Sequence, residues 1–383
     1  MNGRELHQAI YSGEPFDRLP VIGLEGWTEA VERWRTEGLE EGVDPNEALG
    51  LISDDNTSLP LNLNMYPLFE LEILEKDEQY VTVIDEFKVT KRVFKEDFDR
   101  TEGNMRQSGA MSSMSHWIDF PVKDMNSWKE IFEERFRATP EGRIPEDINV
   151  DGDKIKQRAE TRWVSHFSFP FGGMFSAVRQ LMGLEGAIFA MSDDPELVRT
   201  IVSDLGSFYA ESFAMLLPEY RLDQIACFED MCSNRAPLIS PAMFREFFMP
   251  AYKEYLGRLK DMGVLQAFID TDGDARRIIP ELVECGFTAM WPCEIKAGMD
   301  PRELLEQYPT LSFVGGIDKV AVATGGEALE QECARRFKTA WDLGRYLPAL
   351  DHLAPPDISW ESAQRYARIV RACSSGPNGL SCG

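Results

Sequence analysis

The sequence predicts an α/β fold built on a parallel sheet, and two observations in its second half indicate it. From residue 223 onward, short apolar runs typical of strands alternate with stretches of helical periodicity, which is the pattern of repeated βα units. Acidic residues recur where the apolar runs end. The carboxyl ends of parallel strands meet at one edge of a sheet, so these acids are expected to gather at one site.

The predicted strands of this half share a short apolar run that ends in polar residues. They are DQIACFED (223–230), LQAFIDTDGD (265–274), FTAMWPCE (287–294), LSFVGGID (311–318) and YLPALDH (346–352).

Helix start and stop signals separate these strands. Ser or Asp caps the first free N–H groups, Pro fits the first helical position, and Gly follows the last turn. The predicted helices are the segment from Ser240–Pro241 to Gly263, that from about Ala275 to Cys285 before Gly286, that opening at Asp300–Pro301, and the last helix, capped by Ser359.

The first half is less regular. Segments 21–27 (VIGLEGW) and 163–173 (WVSHFSFPFGG) are candidate strands of the same sheet, whereas 79–94 alternates like an inserted hairpin. The segment DDPELVRTIVSDLGSFYAESFAMLLPEY predicts a long amphipathic helix. No repeat or low-complexity linker divides the chain, so residues 1–372 are predicted to form one domain and 373–383 a flexible tail.

Composition narrows the classes of protein that remain. The 383 residues include 65 acidic and 40 basic side chains, a formal charge of −25, which argues against nucleic acid as a partner. Seven scattered cysteines do not resemble a disulfide framework and are expected to be reduced. The sequence shows no apolar signal region and no membrane-spanning run, so we expect a cytoplasmic protein.

The acids at the strand ends are the candidate site residues. Residues at i and i+2 of an extended segment point to the same side, so Asp270 and Asp272 should place two carboxylates on one face. The full set of polar residues at strand ends is Glu229, Asp230, Asp270, Asp272, Glu294, Asp318, Asp351 and His352.

Structural roles compete with functional ones at several of these positions. Asp272 or Asp274 could cap the following helix, whereas Asp270 lies inside the strand end, where capping does not explain it. His352 could be a structural histidine, or a ligand or acid/base group, since imidazole titrates near neutrality. Cys293, like Cys227, is better explained as a small buried residue than as a zinc ligand, because no second cysteine lies at short spacing.

Seven segments, in this order along the chain, resemble the uroporphyrinogen decarboxylase superfamily. They are DRLPVIGLEGW, VRQLMGLEG, FEDMCSNRAPLISPAMFREFFMPAYKEY, IDTDGD, WPCEIKAGMD, FVGGIDK and LDHLAPPDISWE. The likeness is strongest for a bacterial decarboxylase-like branch related to cobamide-dependent thiol methyltransferases. It implies a (β/α)8 TIM barrel with N-terminal insertions, with the site at the mouth of the barrel. It also makes a homodimer plausible.

One departure from the family concerns the substrate. True uroporphyrinogen decarboxylases carry an arginine-rich segment near the N-terminus that handles a substrate with eight carboxylates, and this chain has IGLEGWTEAVERW there instead. Together with the charge of −25, this argues against the porphyrinogen as substrate.

A second departure concerns a metal. Compared with the thiol methyltransferases, which hold zinc through a His-x-Cys pair and a later Cys, this chain places Asp270, Asp272 and His352 at the ligand positions. The resemblance therefore implies a divalent metal, Zn, Mn or Fe, bound by these three residues, with Glu294 as fourth ligand or supporting partner. Methyl transfer, with a corrinoid supplied by a partner protein, is the implied activity.

Other residues are predicted to handle the small-molecule substrate. Glu229, Asp230, Asp318 and Arg179 are the candidate catalytic residues, and Arg179, Arg235 and Lys319 are the cations that could meet a substrate carboxylate. Two alternatives remain open: a metal-free decarboxylase or lyase in which Asp270 or Glu229 is the general acid, and a non-catalytic binding barrel.

Overall fold

The computed structural model describes residues 1–100 and 115–377, with the backbone alone at 146–151. The strands are β1 (Asn56–Ser58), β2 (Glu72–Lys76), β3 (Tyr80–Ile84), β4 (Thr90–Phe94), β5 (His116–Asp119), β6 (Trp163–Ser168), β7 (Gln224–Phe228), β8 (Gln266–Asp270), β9 (Ala289–Trp291), β10 (Ser312–Ile317) and β11 (Tyr346–Leu350).

Helices connect and cover these strands. They are α1 (Gly3–Ser12), α2 (Thr28–Thr36), α3 (Pro45–Leu49), α4 (Lys95–Arg100), α5 (Met125–Arg135), α6 (Glu146–Ala159), α7 (Met174–Met182), α8 (Leu184–Asp193), α9 (Pro195–Leu216), α10 (Pro241–Phe247), α11 (Met249–Asp261), α12 (Ile279–Cys285), α13 (Pro301–Gln307), α14 (Lys319–Thr324), α15 (Gly326–Leu343) and α16 (Trp360–Ser374), with a 3₁₀ turn at Ile295–Ala297.

A curled parallel sheet forms the centre of the fold. Its strand order is β1-β6-β7-β8-β9-β10-β11, so every strand after β1 lies beside its sequence neighbour in the sheet. All of these pairs are parallel. The prediction of an α/β barrel fold is therefore confirmed.

The position of an eighth strand is occupied by an irregular segment. Only one parallel bridge, between Gly26 and Ala354, joins the predicted strand 21–27 to the chain just after β11. The Trp27 N–H donates to the Ala354 carbonyl at 3.0 Å, and the Ala354 N–H donates to the Glu25 carbonyl at 2.7 Å. The prediction of a regular strand at 21–27 is wrong, because the chain turns into α2 directly after the bridge.

The N-terminal insertion is a separate antiparallel sheet of order β2-β3-β4-β5. Strands β3 and β4 pair from Tyr80 with Phe94 to Ile84 with Thr90, which confirms the predicted hairpin. One face buries its own small cluster of Val81, Val83, Val93 and Phe98.

The predicted helix ends agree with the structure at most positions. Ser240 caps α10 through the Met243 N–H at 3.2 Å, and Ser359 caps α16 through the Ser362 N–H at 3.1 Å. The helix predicted from Ala275 begins four residues later, at Ile279. Pro280 has no N–H and fits only the first turn of a helix, which explains the later start.

Small side chains inside the sheet leave a central space. In most barrels of this class, layers of bulky side chains fill the interior. Here Ala226 of β7 and Ala349 of β11 face inward, and both line an internal cavity. At the amino ends of the strands, the Ser312 hydroxyl and the Arg345 N–H both donate to carbonyls of α1, so α1 closes this end of the sheet.

The main hydrophobic cluster runs from Leu6 to Cys373, and the prediction of one domain over residues 1–372 stays a prediction. The last part of the predicted tail, 378–383, lies outside the described residues. The six cysteines of the described residues are buried. Within the same residues, no helix combines the length and apolar character needed to cross a bilayer.

Candidate active site

A cavity of about 990 Å³ opens among the carboxyl ends of the strands. Its floor is formed by His7 and Tyr11 of α1 together with Trp163, and its upper wall carries aromatic and acidic side chains. The acids that line the cavity are Glu25, Asp44, Asp55, Asp230, Asp270 and Asp272, and His352 joins them. Four of the eight predicted strand-end residues therefore share one cavity.

Asp270 lies at the centre of this wall. The sheet register pairs Phe228 of β7 with Asp270 of β8, and Asp270 with Trp291 of β9. All three side chains line the cavity. Neighbouring strands lie about 4.8 Å apart, so the Asp270 carboxylate has an aromatic residue on each side at its own level.

The Asp270 side chain is buried and unpartnered. The residue is 7% exposed, and no hydrogen bond or ion pair reaches its carboxylate from the described residues. Burial, helped by the negative charges of Asp272 and Asp230, raises the pKa of Asp270 well above its ordinary value. The uncharged form of the Asp270 carboxyl group is therefore favoured while no cation occupies the cavity.

Asp272 and His352 form a pair beside Asp270. His352 Nε2 lies 3.2 Å from Asp272 Oδ2, and the imidazole stacks on Trp27 with ring centroids 5.7 Å apart. Burial opposes protonation of His352, but the hydrogen bond and charge of Asp272 outweigh it and raise the pKa of the imidazole. The raised pKa favours the protonated imidazole and thus a partly exposed ion pair with Asp272 at the rim of the cavity.

A glycine positions the loop that carries this pair. Gly273 has φ +77°, and a Cβ there would lie 2.3 Å from the Ser233 carbonyl oxygen. Its N–H donates to Glu294 Oε2 at 2.8 Å. The close approach that only glycine permits thus fixes the backbone next to Asp272.

Glu294 and Asp351 form ion pairs with Lys319 and do not line the cavity. Lys319 Nζ lies 3.0 Å from Glu294 Oε1 and 3.6 Å from Asp351 Oδ1. Burial lowers the pKa of Lys319, but Asp351 and Glu294 more than compensate and leave it raised. None of the three lines the cavity.

Glu229 is also turned away from the cavity. It is fully buried, and its carboxylate accepts from the N–H groups of Phe175 and Ser176 at 2.9 and 2.8 Å and from the hydroxyl of Tyr252. Burial raises the pKa of Glu229 against the lowering effect of these donors. Its position at the N-terminus of α7 is that of an anchor for this helix, not of a group that meets substrate.

Of the remaining predicted residues, some line the cavity and others do not. Asp230 lines the cavity, and Arg179 holds it with Nη2 at 2.7 Å from Oδ2 and Nη1 at 3.0 Å from its carbonyl. Asp318 caps α14 through the Val320 N–H at 2.9 Å and pairs with Lys296, outside the cavity. Arg235 is exposed and does not line the cavity either.

The four residues predicted as metal ligands do not form one ligand set. Glu294 is held by Lys319, and the Nε2 atom of His352 faces Asp272. Among residues 1–100 and 115–377, no three His, Cys, Asp or Glu side chains are grouped to hold a metal ion. The donor set thus does not fit the divalent metal that the resemblance implied.

The aromatic wall is the feature that the sequence analysis missed. Trp27, Trp291 and Phe228 line the upper cavity, and Phe167 and Phe169 are about half-exposed at its edge. The alternation Phe167-x-Phe169 at the end of β6 was a usable signal, because both rings must lie on the same side as the acids of neighbouring strands. No Lys or Arg of the described residues lines this cavity.

These features define an α/β barrel protein with an acidic and aromatic cavity at the carboxyl ends of its strands. A family model described as uroporphyrinogen decarboxylase (URO-D) matches residues 169–373, more than half of the chain. The chain belongs to the uroporphyrinogen decarboxylase family.

A solved structure agrees at the level of the fold. A methyltransferase from Methanosarcina mazei superposes with a TM-score of 0.57 at 15% identity, over 97% of this chain and 98% of the other. A B12-independent methionine synthase from Shewanella sp. W3-18-1 gives a TM-score of 0.39 at 14% identity, over 58% of this chain and 66% of its own, which is too partial an overlap to bear on the fold. No curated protein matches the sequence.

Proposed function

We propose that this protein transfers a methyl group to or from a small molecule bound in the strand-end cavity. Membership of the uroporphyrinogen decarboxylase family and a fold shared over nearly the whole chain with a methyltransferase support the reaction class. Residue-level support comes from the cavity itself.

The observation that carries the proposal is a cavity with an unpartnered buried carboxyl group and no lining Lys or Arg among the described residues. Decarboxylation of a carboxylate substrate needs a positive group to hold the anion. Arg179 is engaged by Asp230, and Lys319 by Glu294 and Asp351. The cavity thus repels the substrates of a decarboxylase and accepts neutral or cationic ones, so the metal-free decarboxylase alternative is not favoured.

A binding barrel without catalysis is not favoured either. A buried carboxyl group without a partner is costly to stability. Because an unpaired buried carboxyl group lowers stability, a function in the cavity best explains its presence. Asp270 is 7% exposed and faces the open cavity, where a bound molecule would contact it.

The residues can be given roles in the reaction. The methyl carbon would lie between Phe228 and Trp291, with Asp270 against the heteroatom that carries it. The Asp272–His352 pair would balance charge at the rim of the cavity. A nucleophile forms a bond to the methyl carbon as the bond to the heteroatom breaks, and the heteroatom keeps that electron pair. A corrinoid carried by a partner protein would supply the nucleophilic cobalt, and the half-exposed Phe167 and Phe169 are the rings it would meet. No step is assigned to a metal ion, because the donor set does not fit one.

The test is a methyl-transfer assay with free cob(I)alamin as acceptor and a panel of methylated ammonium, sulfonium, ether and thioether compounds. Formation of methylcobalamin, followed by its visible spectrum, is expected with at least one class of donor. The Asp270→Ala variant should lose about 100-fold or more of the rate, since it removes the group nearest the reacting atoms.

Asp261→Asn is the matched control, because Asp261 is exposed at the end of α11 and far from the cavity. It should retain the parent rate. No methyl transfer from any donor, with Asp270→Ala indistinguishable from the parent, would contradict the proposal.

A further inference from the structure

The acids that line the upper wall of the cavity differ in whether they have a cation of their own. Asp230 pairs with Arg179 at 2.7 Å, and Asp272 pairs with His352 at 3.2 Å. Asp270 has no cationic partner among the described residues. Among Asp230, Asp270 and Asp272, Asp270 is therefore the buried carboxyl group without a positive charge beside it.

The surroundings of Asp270 suit a cation that carries apolar groups. Phe228 and Trp291 flank it at the same level of the sheet. Aromatic faces attract cations, Trp most strongly, and more so when the cation is desolvated. A hydrated metal ion would gain little from these rings, whereas an ammonium or sulfonium ion covered with methyl groups matches both the rings and the carboxylate.

We infer that this cavity binds a small singly charged onium ion, a methylated ammonium or sulfonium, with Asp270 as its counter-ion and Trp291 and Phe228 as its aromatic partners. Identification of the onium ion as the methyl donor rests on the proposed function, but its binding does not. The volume of about 990 Å³ leaves room for such an ion together with a further substituent.

The chemistry of an onium donor fits this site. A nucleophile, which a corrinoid held by a partner protein would supply in the proposed reaction, would donate its electron pair to the methyl carbon. The bond from carbon to nitrogen or sulfur breaks, and the heteroatom keeps the pair and leaves as a neutral amine or thioether. No proton is needed, and the loss of positive charge frees the product from Asp270.

The test compares two ligands of the same shape by calorimetry on the full chain: choline, a quaternary ammonium, and 3,3-dimethylbutan-1-ol, its uncharged analogue. Choline should bind at least about 10-fold more tightly, the difference expected from one ion pair and two cation–π contacts. Tetramethylammonium and trimethylsulfonium, titrated in the same way, show whether nitrogen or sulfur is preferred.

Variants locate the binding. Asp270→Asn keeps the shape of the side chain and should weaken choline binding by about 10-fold, while leaving 3,3-dimethylbutan-1-ol unaffected. Trp291→Leu should weaken choline more than the alcohol, and Asp261→Asn should bind both as the parent does. Circular dichroism and the melting temperature show whether each variant is folded.

Each result decides between the alternatives. Equal affinity for choline and its analogue, no binding of either onium ion, or unchanged choline binding by a folded Asp270→Asn variant would overturn the onium site. Onium binding at Asp270 without methyl transfer would overturn the proposed function and keep this site. Methyl transfer from ethers alone, without onium binding, would do the reverse.

Discussion

At the scale of single residues, the contrast between Asp270 and Glu229 separates function from structure. Both are buried acids at the ends of adjacent strands. The Glu229 carboxylate accepts hydrogen bonds from two backbone N–H groups and a tyrosine, whereas the Asp270 carboxyl group accepts none from the described residues. A buried carboxyl group with hydrogen-bond partners stabilises the fold, whereas one that lacks partners and faces a cavity is available to bind a ligand.

A first prediction concerns the stability of the protein without ligand. The pKa of Asp270 is raised on folding, so the folded chain holds this proton more tightly than the unfolded chain does. Its favourable contribution is complete below the pKa of an unfolded aspartate, about 4, and is lost as the pH rises through the folded value. Asn cannot ionise, so Asp270→Asn should be more stable than the parent by about 1–2 kcal/mol at pH 8.

Urea denaturation at pH 8 and pH 4 measures this difference. The gain should shrink to about 0.5 kcal/mol or less at pH 4, where Asp270 is protonated in the folded chain and about half protonated in the unfolded chain. The raised pKa of His352 contributes equally to parent and variant and cancels. A variant less stable than the parent at pH 8 would show that Asp270 is paired and ionised after all.

At the scale of elements, the N-terminus of α7 is held by a residue at the end of strand β7. The Glu229 carboxylate at the end of β7 receives the first free N–H groups of α7, and Gly173 lets the two approach, because a Cβ there would lie 2.2 Å from the Phe228 carbonyl oxygen. The same helix carries Arg179, which holds Asp230 at the cavity. A structural acid thus positions a residue of the site.

This arrangement predicts a destabilised Glu229→Gln variant. The side-chain NH2 of glutamine is a donor and would face the groups that now donate to the Glu229 carboxylate. The free energy of unfolding should therefore fall by about 1–3 kcal/mol, the range for a buried polar group left unpaired. Urea denaturation at pH 7 gives the value. Glu211→Gln, on the exposed face of α9, is the matched control and should change little. An unchanged Glu229→Gln would mean that this contact does not hold α7.

At the scale of the whole molecule, the reactivity of the cysteine thiols measures how well the core excludes reagents from solvent. Each of the six cysteines in the described residues is at most 6% exposed, and burial raises the pKa of Cys227, Cys232 and Cys293. Buried thiols with raised pKa values react slowly, since the thiolate is the nucleophile.

The native protein should therefore release at most one equivalent of chromophore rapidly from a disulfide reagent such as DTNB. The one thiol not covered by this argument is Cys382, which lies outside the described residues. Unfolding in 6 M guanidinium chloride should expose the buried thiols and raise the number that react. Two or more fast thiols in native protein would indicate a core more open than the structure shows, and a Cys382→Ser variant identifies the fast one.

The sequence by itself determined the fold class and the place of the site. Strand runs that alternate with capped helices require a parallel sheet, and acids after those runs must gather at its carboxyl edge, which is where Asp230, Asp270, Asp272 and His352 meet. These are local signals of spacing and side-chain type, so they can be recognised without coordinates.

Only the tertiary structure decided which acids face the cavity and which are engaged elsewhere. Lys319 binds Glu294 across 25 positions of the chain, and Glu229 meets α7 more than 50 positions away. The aromatic neighbours of Asp270 likewise come from two other strands. Contacts between residues distant in sequence depend on how the elements pack, and packing decides whether a strand-end carboxylate caps a helix, pairs with a cation or is left open to a ligand.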